Sequence, residues 1–248
     1  MLDWLKKKKQ ATAAIFVDYE HWYYGYQNKF SMKPNVEEWF QEIKGEYDVK
    51  YIKFFGNFTG YGLDNELVRL KKMGNNVVHT ASDKDGVDKD FTDFIILDEI
   101  YRKAAEKDCP DAFILFTGDA HFDLAVKYLR SLNKKVIIYG VKYSFSNRLK
   151  SSANSYVEMP RSKQEKQYYY EAIFTSLKQL RKRKKQATYR KTIINVAEHS
   201  GVSQDRIQNA LDELLNQKYL YETEAEYRGR KIKLLQVDWN RVEQKGWV

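Results

Sequence analysis

Short apolar segments alternate with amphipathic segments through the first 160 residues, and this alternation constrains the fold more than any other feature. Strands are predicted at residues 13–18, 49–55, 76–80, 112–117 and 135–140, and helices at 34–46, 63–72, 88–105 and 120–132. Strands that alternate with helices form βαβ units, in which the strands run parallel. Residues 113–116 are continuously apolar, which is typical of a strand covered on both faces. The sequence therefore predicts an α/β domain on a mainly parallel sheet.

The pattern changes near Pro160. Helices are predicted at 163–181, 189–199 and 204–217. They are followed by a predicted hairpin whose two strands include residues 219–221 and 232–237. Three helices followed by a hairpin are typical of a winged helix-turn-helix domain. We therefore divide the chain into a basic N-terminal tail at 1–11, the α/β domain at 12–160 and a small winged-helix domain at 161–248.

Positive charge is concentrated in the last third of the chain. The net charge is +9, of which residues 161–248 contribute +8 and residues 1–160 contribute +1. A local basic excess indicates a polyanionic partner such as nucleic acid, although it could instead serve solubility. The residues expected to contact nucleic acid are Arg181, Arg183, Lys184, Arg206, Arg228, Arg230 and Lys231. A protein-interaction or dimerisation module is the open alternative, so a homodimer is not excluded.

Composition excludes several classes of protein. The single cysteine, Cys109, excludes an intramolecular disulfide and a multi-cysteine zinc site, and it fits a reducing compartment. No apolar run approaches the roughly 18 residues that span a bilayer. The basic N-terminus also lacks the apolar segment of a signal peptide. We therefore expect a cytoplasmic protein without a membrane partner.

Acidic residues follow three of the predicted strands. Asp18 ends the first strand, and Asp119 follows the strand at 112–117. After the strand at 76–80 come Asp83, Asp85, Asp88, Asp90 and Asp93. Because ligands bind beyond the carboxyl ends of parallel strands, we expect these acids at one edge of the sheet. Carboxylates suit Mg²⁺ and Mn²⁺, which activate water and neutralise charge on a phosphodiester. The sequence therefore predicts a metal-dependent nuclease that uses in-line attack of metal-bound water.

These acids differ in how strongly they suggest a site. The predicted metal ligands are Asp18, Asp93, Asp119, Asp90 and Asp88. Asp93 lies in an apolar stretch, where a charge needs a partner or a metal. Asp119 could instead cap the next helix, and Asp88 could serve only the helix dipole. Asp83 and Asp85 are interpreted as solvated loop acids.

The segment after Asp18 is rich in aromatic residues and is interpreted as a loop. Its rings belong to Tyr23, Tyr24, Tyr26 and Phe30. Aromatic rings beside a nuclease site can stack on unpaired bases, but such a cluster is more often part of the core. We favour the core interpretation.

Taken together, these motifs resemble the NYN domain family of the PIN-like nuclease superfamily. The resemblance rests on residues 15–18, on the acidic segment leading to Asp93 and Asp98, on residues 116–119 followed by Phe122, and on residues 136–140 and 146–149. It implies a PIN-like parallel sheet flanked by helices and a Mg²⁺- or Mn²⁺-dependent ribonuclease, so RNA is favoured over DNA as the partner. Asp18, Asp93 and Asp119 match the family's acidic positions.

Two positions depart from the family's pattern. His121 stands where many members have a second acid, and residues 19–22 replace a Gly-Glu-Asn-type stretch. Glu20 could assist the metal or its water, and His121 could bind phosphate or transfer a proton, so both are candidate catalytic residues. The departures also favour a second hypothesis, a non-catalytic nucleic-acid-binding regulator with a degenerate nuclease fold. A small-molecule phosphohydrolase is the third, although the chain lacks a Gly-rich phosphate loop.

Overall fold

The computed structural model describes residues 10–59, 63–72, 76–80, 91–227 and 229–248. The chain divides into two units, the first formed by Met1–Lys29 and Lys33–Met159 and the second by Phe30–Met32 and Pro160–Val248. The predicted tail at 1–11 lies almost entirely outside the described residues. In the described part of the chain, no helix is long and apolar enough to cross a membrane.

One parallel sheet organises the N-terminal unit. Its strands are β1 Thr12–Asp18, β2 Asp48–Gly56, β3 Asn76–His79, β4 Ala112–Phe116, β5 Lys135–Val141 and β6 Ser155–Met159. They lie in the order β3-β2-β1-β4-β5-β6, and every neighbouring pair is parallel. All the carboxyl ends therefore meet at one edge. The direction of winding reverses between β1 and β4, which is the place where ligands bind in such sheets.

Helices flank this sheet. They are α1 Tyr19–Phe30, α2 Val36–Glu46, α3 Leu63–Lys72, α4 Thr92–Ala104, α5 Asp123–Ser131 and α6 Asn147–Ser152, with a 3₁₀ turn at Ala120–Phe122 before α5. Every residue of β4 is buried. Phe113 stacks on Phe16 of β1 at 6.0 Å between ring centroids, whereas Phe116 stacks on Trp22 of α1 at 3.9 Å. Successive strand residues point to opposite faces. Both faces of the sheet are therefore covered, as the continuous apolar runs predict.

The segment after Asp18 is a helix, α1, so its interpretation as a loop was wrong. Asp18 stabilises the start of this helix, because its Oδ1 accepts a hydrogen bond of 3.0 Å from the backbone N–H of His21. Tyr23, Tyr26 and Phe30 are buried, which confirms the core interpretation for these three rings, whereas Tyr24 is half-buried. The helix escaped prediction because it is apolar on several faces, so it shows no single apolar stripe.

Further differences concern short or exposed elements. Helix α6 and strand β6 were not predicted; β6 lies at the edge of the sheet and exposes Ser155 and Tyr156, so its apolar signal is weak. Helix α4 begins at Thr92 instead of residue 88, and residues 81–90 lie outside the described part. The predicted helix at 120–132 opens with the 3₁₀ turn.

The C-terminal unit contains helices followed by an antiparallel hairpin. Its elements are α7 Ser162–Lys182, α8 Tyr189–Ser200, α9 Gln204–Asn216, β7 Leu220–Tyr227, β8 Arg230–Val237 and α10 Trp239–Gln244. Phe174, Ile207 and Leu211 belong to its apolar core. Gly201 ends α8 with a φ of 70°, a left-handed conformation that glycine adopts without strain. Helix α10 was not predicted.

Candidate metal centre

Acidic residues of the N-terminal unit lie where the winding of the sheet reverses. Asp18 is the last residue of β1, and Asp119 lies three residues beyond the end of β4. These two strands are neighbours, with Val17 paired with Phe116 in the register. The fold therefore brings together two chain segments that are far apart in sequence. Their position is the one at which open α/β sheets bind ligands.

Asp93, Asp119 and His121 form a cluster whose ligand atoms all lie within 4.8 Å of one another. The Nδ1 atom of His121 is 3.1 Å from Oδ1 of Asp119 and 3.8 Å from Oδ2 of Asp93. The side chains of Asp93, Asp119 and His121 are 29%, 40% and 76% exposed, so solvent can reach them. Two carboxylates and an imidazole in this arrangement could hold a divalent cation.

Asp119 is fixed by its own turn. Its Oδ1 accepts a hydrogen bond of 2.9 Å from the backbone N–H of His121, so it caps the 3₁₀ turn as the alternative interpretation predicted. Its backbone N–H donates to Oγ1 of the buried Thr117 at 3.3 Å. The N–H of Thr117 donates in turn to the carbonyl of Tyr139 on β5. These contacts hold the carboxylate at the sheet edge, where it can both cap the turn and bind a cation.

The remaining acids predicted for the site lie in different surroundings. Asp18 is buried at the end of β1, and Glu20 is half-buried in the first turn of α1. Neither belongs to the three-residue cluster found among the described residues. Asp88 and Asp90 fall outside the described residues, so their predicted role stays a prediction. Asp98 lies on α4 at the surface, where it accepts a hydrogen bond from Arg102.

A second histidine, His21, lies beside Asp119 and was not predicted as a site residue. A Cβ atom built on Gly118 would lie 2.6 Å from Nε2 of His21, so the ring packs directly against this glycine. Burial lowers the pKa of His21, and the negative charge of Asp119 opposes that shift. Nε2 is buried and has no hydrogen-bond partner among the described residues. The only available signal was its place three residues after Asp18, about one helical turn on, and the loop interpretation concealed it.

A pocket of ≈ 410 Å³ adjoins the cluster. It is lined by His21, Gly118, Asp119, Ala120, Tyr143, Ser144, Phe145 and Ser146. Asp119 is common to the pocket and to the cluster, so a molecule in the pocket would lie next to a bound cation. The loop that follows β5 forms one wall, a contribution that the sequence did not indicate.

The basic residues of the C-terminal unit differ in exposure and pairing. Arg181, Arg183 and Lys184 are exposed at the end of α7. Lys231 of the hairpin lies opposite acidic β7, with Nζ 4.0 Å from Glu224. Of the other residues expected to contact nucleic acid, Arg206 is half-buried and donates a hydrogen bond to the hydroxyl of Tyr169. Arg230 is exposed. Arg228 lies outside the described residues.

Comparisons with known proteins agree with this fold. The family model for the NYN domain matches residues 12–160. A crystal structure of a protein of unknown function from Vibrio parahaemolyticus is similar, with a TM-score of 0.55 and 23% sequence identity over 63% of this chain and 97% of that chain. This likeness concerns the fold alone. The search of curated proteins gave no match.

Proposed function

Because the chain belongs to the NYN domain family, which has a nuclease-like fold, we propose that it is a metal-dependent ribonuclease that hydrolyses phosphodiester bonds. The observation that carries the proposal is the cluster of Asp93, Asp119 and His121 at the carboxyl edge of the sheet. Carboxylates gathered at this edge are the arrangement expected of a site for Mg²⁺ or Mn²⁺.

Each side chain has a distinct proposed role. When bound, the cation would acidify a water molecule and neutralise charge on the phosphodiester. Asp93 and Asp119 would hold this cation, and the exposed imidazole of His121 would contact a phosphate oxygen or move a proton. Asp18 holds the first turn of α1 through the N–H of His21. Glu20, in the same turn, would orient water.

The C-terminal unit is proposed to be a winged-helix domain that binds the nucleic acid. Its order of helices and antiparallel hairpin supports this proposal. The exposed run at 181–185 is the best candidate for phosphate contacts, because it carries five basic residues in succession. The hairpin is a weaker candidate, since Glu222 and Glu224 pair with its lysines. We propose RNA as the polymer and the cytoplasm as the location of the protein. Formation of a homodimer through this unit is the alternative to nucleic-acid binding.

Cleavage of labelled RNA and DNA with Mn²⁺, Mg²⁺ or EDTA tests the proposal. We expect metal-dependent cutting of RNA that is lost in Asp93→Asn and Asp119→Asn. Each substitution keeps the size of the side chain and removes its charge. Asp98→Asn is the matched control, because Asp98 lies on the same helix but pairs at the surface with Arg102. Cutting that survives both site substitutions, or that EDTA does not stop, would refute the proposed centre.

A second candidate is a regulator that binds nucleic acid without cutting it. The specific observation in its favour is His121, which occupies a position where many family members have an acid. In that case the protein would bind RNA with the same affinity in wild type, Asp93→Asn and Asp119→Asn, and no cation would support cleavage. The cleavage assay above, run beside a binding assay, separates the two functions.

A further inference from the structure

A hydrogen-bonded loop carries Tyr143 beside the candidate metal centre. The backbone N–H of Ser144 donates to the carbonyl of Val141, which closes a tight turn around Lys142 and Tyr143. The N–H of Lys142 donates to Met159 of β6, and the N–H of Ser146 donates to Gly118. The loop is therefore tied to the sheet on both sides.

The backbone of Tyr143 is unusual for an aromatic residue. Its φ of 67° is left-handed, and glycine or asparagine normally occupies such a turn position. The side chain is nevertheless 78% exposed, so burial of the ring does not offset the energetic cost of this backbone conformation. Residues in such backbone conformations cluster at functional sites, where the surrounding structure holds them in place.

The pocket next to Tyr143 has the chemistry for a nucleobase. It is a shallow pocket of ≈ 410 Å³ that opens to solvent, so one flat ring could lie against its wall. Its described lining contains the Asp119 carboxylate but no lysine or arginine, so it suits a neutral ring better than a phosphate group. Ser144 and Ser146 add polar groups to the same lining, and the imidazole of His21 forms another part of it.

We propose that this pocket holds one unpaired base of the substrate strand, stacked on Tyr143, while the adjoining phosphate lies at the Asp93–Asp119 cluster. The inference rests on the proposed function in taking a polynucleotide as the substrate. A base within a duplex is stacked on both faces and reaches such a wall only after extrusion. The protein therefore selects unpaired strands.

The test measures binding of the full chain to a short labelled RNA in EDTA, so that cleavage plays no part. The RNA is used as a single strand and as a duplex, at raised salt to weaken phosphate contacts. For Tyr143→Ala we expect the Kd for the single strand to rise by about 5- to 150-fold, the range for loss of one base–aromatic stack. Tyr143→Phe keeps the ring and should bind like wild type.

Tyr143→Gly separates stacking from folding. Glycine adopts positive φ freely, so this variant should have an unchanged or higher Tm, yet it should bind the single strand as weakly as Tyr143→Ala. Single-strand binding by Tyr143→Ala and Tyr143→Gly equal to that of wild type would overturn the inference. An equal loss of affinity for the duplex would also overturn it. Binding that depends on Tyr143 in a protein that never cuts RNA would sustain the inference while the proposed ribonuclease failed.

Discussion

Gly118→Ala is expected to damage both the stability of the N-terminal unit and the site. A Cβ atom at Gly118 would lie 2.4 Å from the carbonyl oxygen of Ser144 and 2.6 Å from Nε2 of His21. Ordinary van der Waals contact begins at 3.4 Å, so the carbonyl of Ser144 would have to move by about 1 Å and the ring of His21 by about 0.8 Å. The carbonyl is backbone, held by the turn after β5, and cannot simply change rotamer.

The cost follows from this geometry. Overpacking a well-packed region typically costs about 1–3 kcal/mol. For a unit of this size that corresponds to a fall in Tm of roughly 2–4 °C per kcal/mol. Since Asp119 is the next residue, the same displacement moves a proposed metal ligand, and cleavage should fall more than stability alone explains.

Gly45→Ala provides the matched control. A Cβ atom there would meet nothing within 4 Å, and Gly45 lies within α2. Alanine should stabilise this helix by about 0.5–1 kcal/mol. Thermal and urea unfolding of both variants would measure the contrast. A Gly118→Ala protein as stable as wild type would refute the close packing described for Gly118.

Three further predictions concern charged groups. Burial raises the pKa of Glu99, but hydrogen bonds from Lys53 and Tyr51 lower it below its usual 4.5 overall. The stability that Glu99 contributes should therefore be present above that pH and be lost as pH falls through the lowered value. In urea titrations, Lys53→Met should lose less stability than wild type over the same fall in pH. The double variant Arg183→Gln, Lys184→Gln should reduce the slope of log K against log[salt] for single-stranded RNA by about 0.7 per lost contact. The double variant Lys231→Gln, Lys233→Gln should change this slope less, because those lysines face glutamates. Equal slopes in the two double variants would contradict the proposed surface. His121→Asp would place a third carboxylate beside Asp93 and Asp119, and because carboxylate oxygen suits Mg²⁺ better than imidazole does, cleavage in Mg²⁺ should rise relative to cleavage in Mn²⁺. An unchanged ratio of the two rates would contradict a cation held next to residue 121.

The sequence predicted the buried part of the sheet well. Strands β1, β2, β4 and β5 and helix α3 lie within one or two residues of the predicted bounds, because apolar runs and periodic stripes report burial directly. The elements that escaped prediction are of two kinds. Helix α1 is apolar on several faces and shows no amphipathic period, whereas β6 and α6 are short and partly exposed.

The candidate site was only partly predictable. Asp93 and Asp119 could be proposed because each stands near a predicted strand end or helix start, and the structure brings both to His121. His21 and Tyr143 could not, since their places depend on the first turn of α1 and on the turn after β5. The stretch around Asp93 also looked buried, yet Phe91 and Phe94 are exposed. Position within a helix, which composition does not reveal, decides which of these apolar residues faces solvent.

The central place of β1 in the sheet has a consequence for biosynthesis. Of the six described strands in this sheet, β1 comes first along the chain, but its partner β4 follows almost 100 residues later. Until then one edge of an apolar strand lacks its partner, which is a risk for aggregation. The same delay keeps Asp18 apart from Asp119, so the proposed metal centre cannot form on a nascent chain that ends before β4. On the proposed function, a translating ribosome would therefore carry no active ribonuclease beside its own message until the sheet is nearly complete.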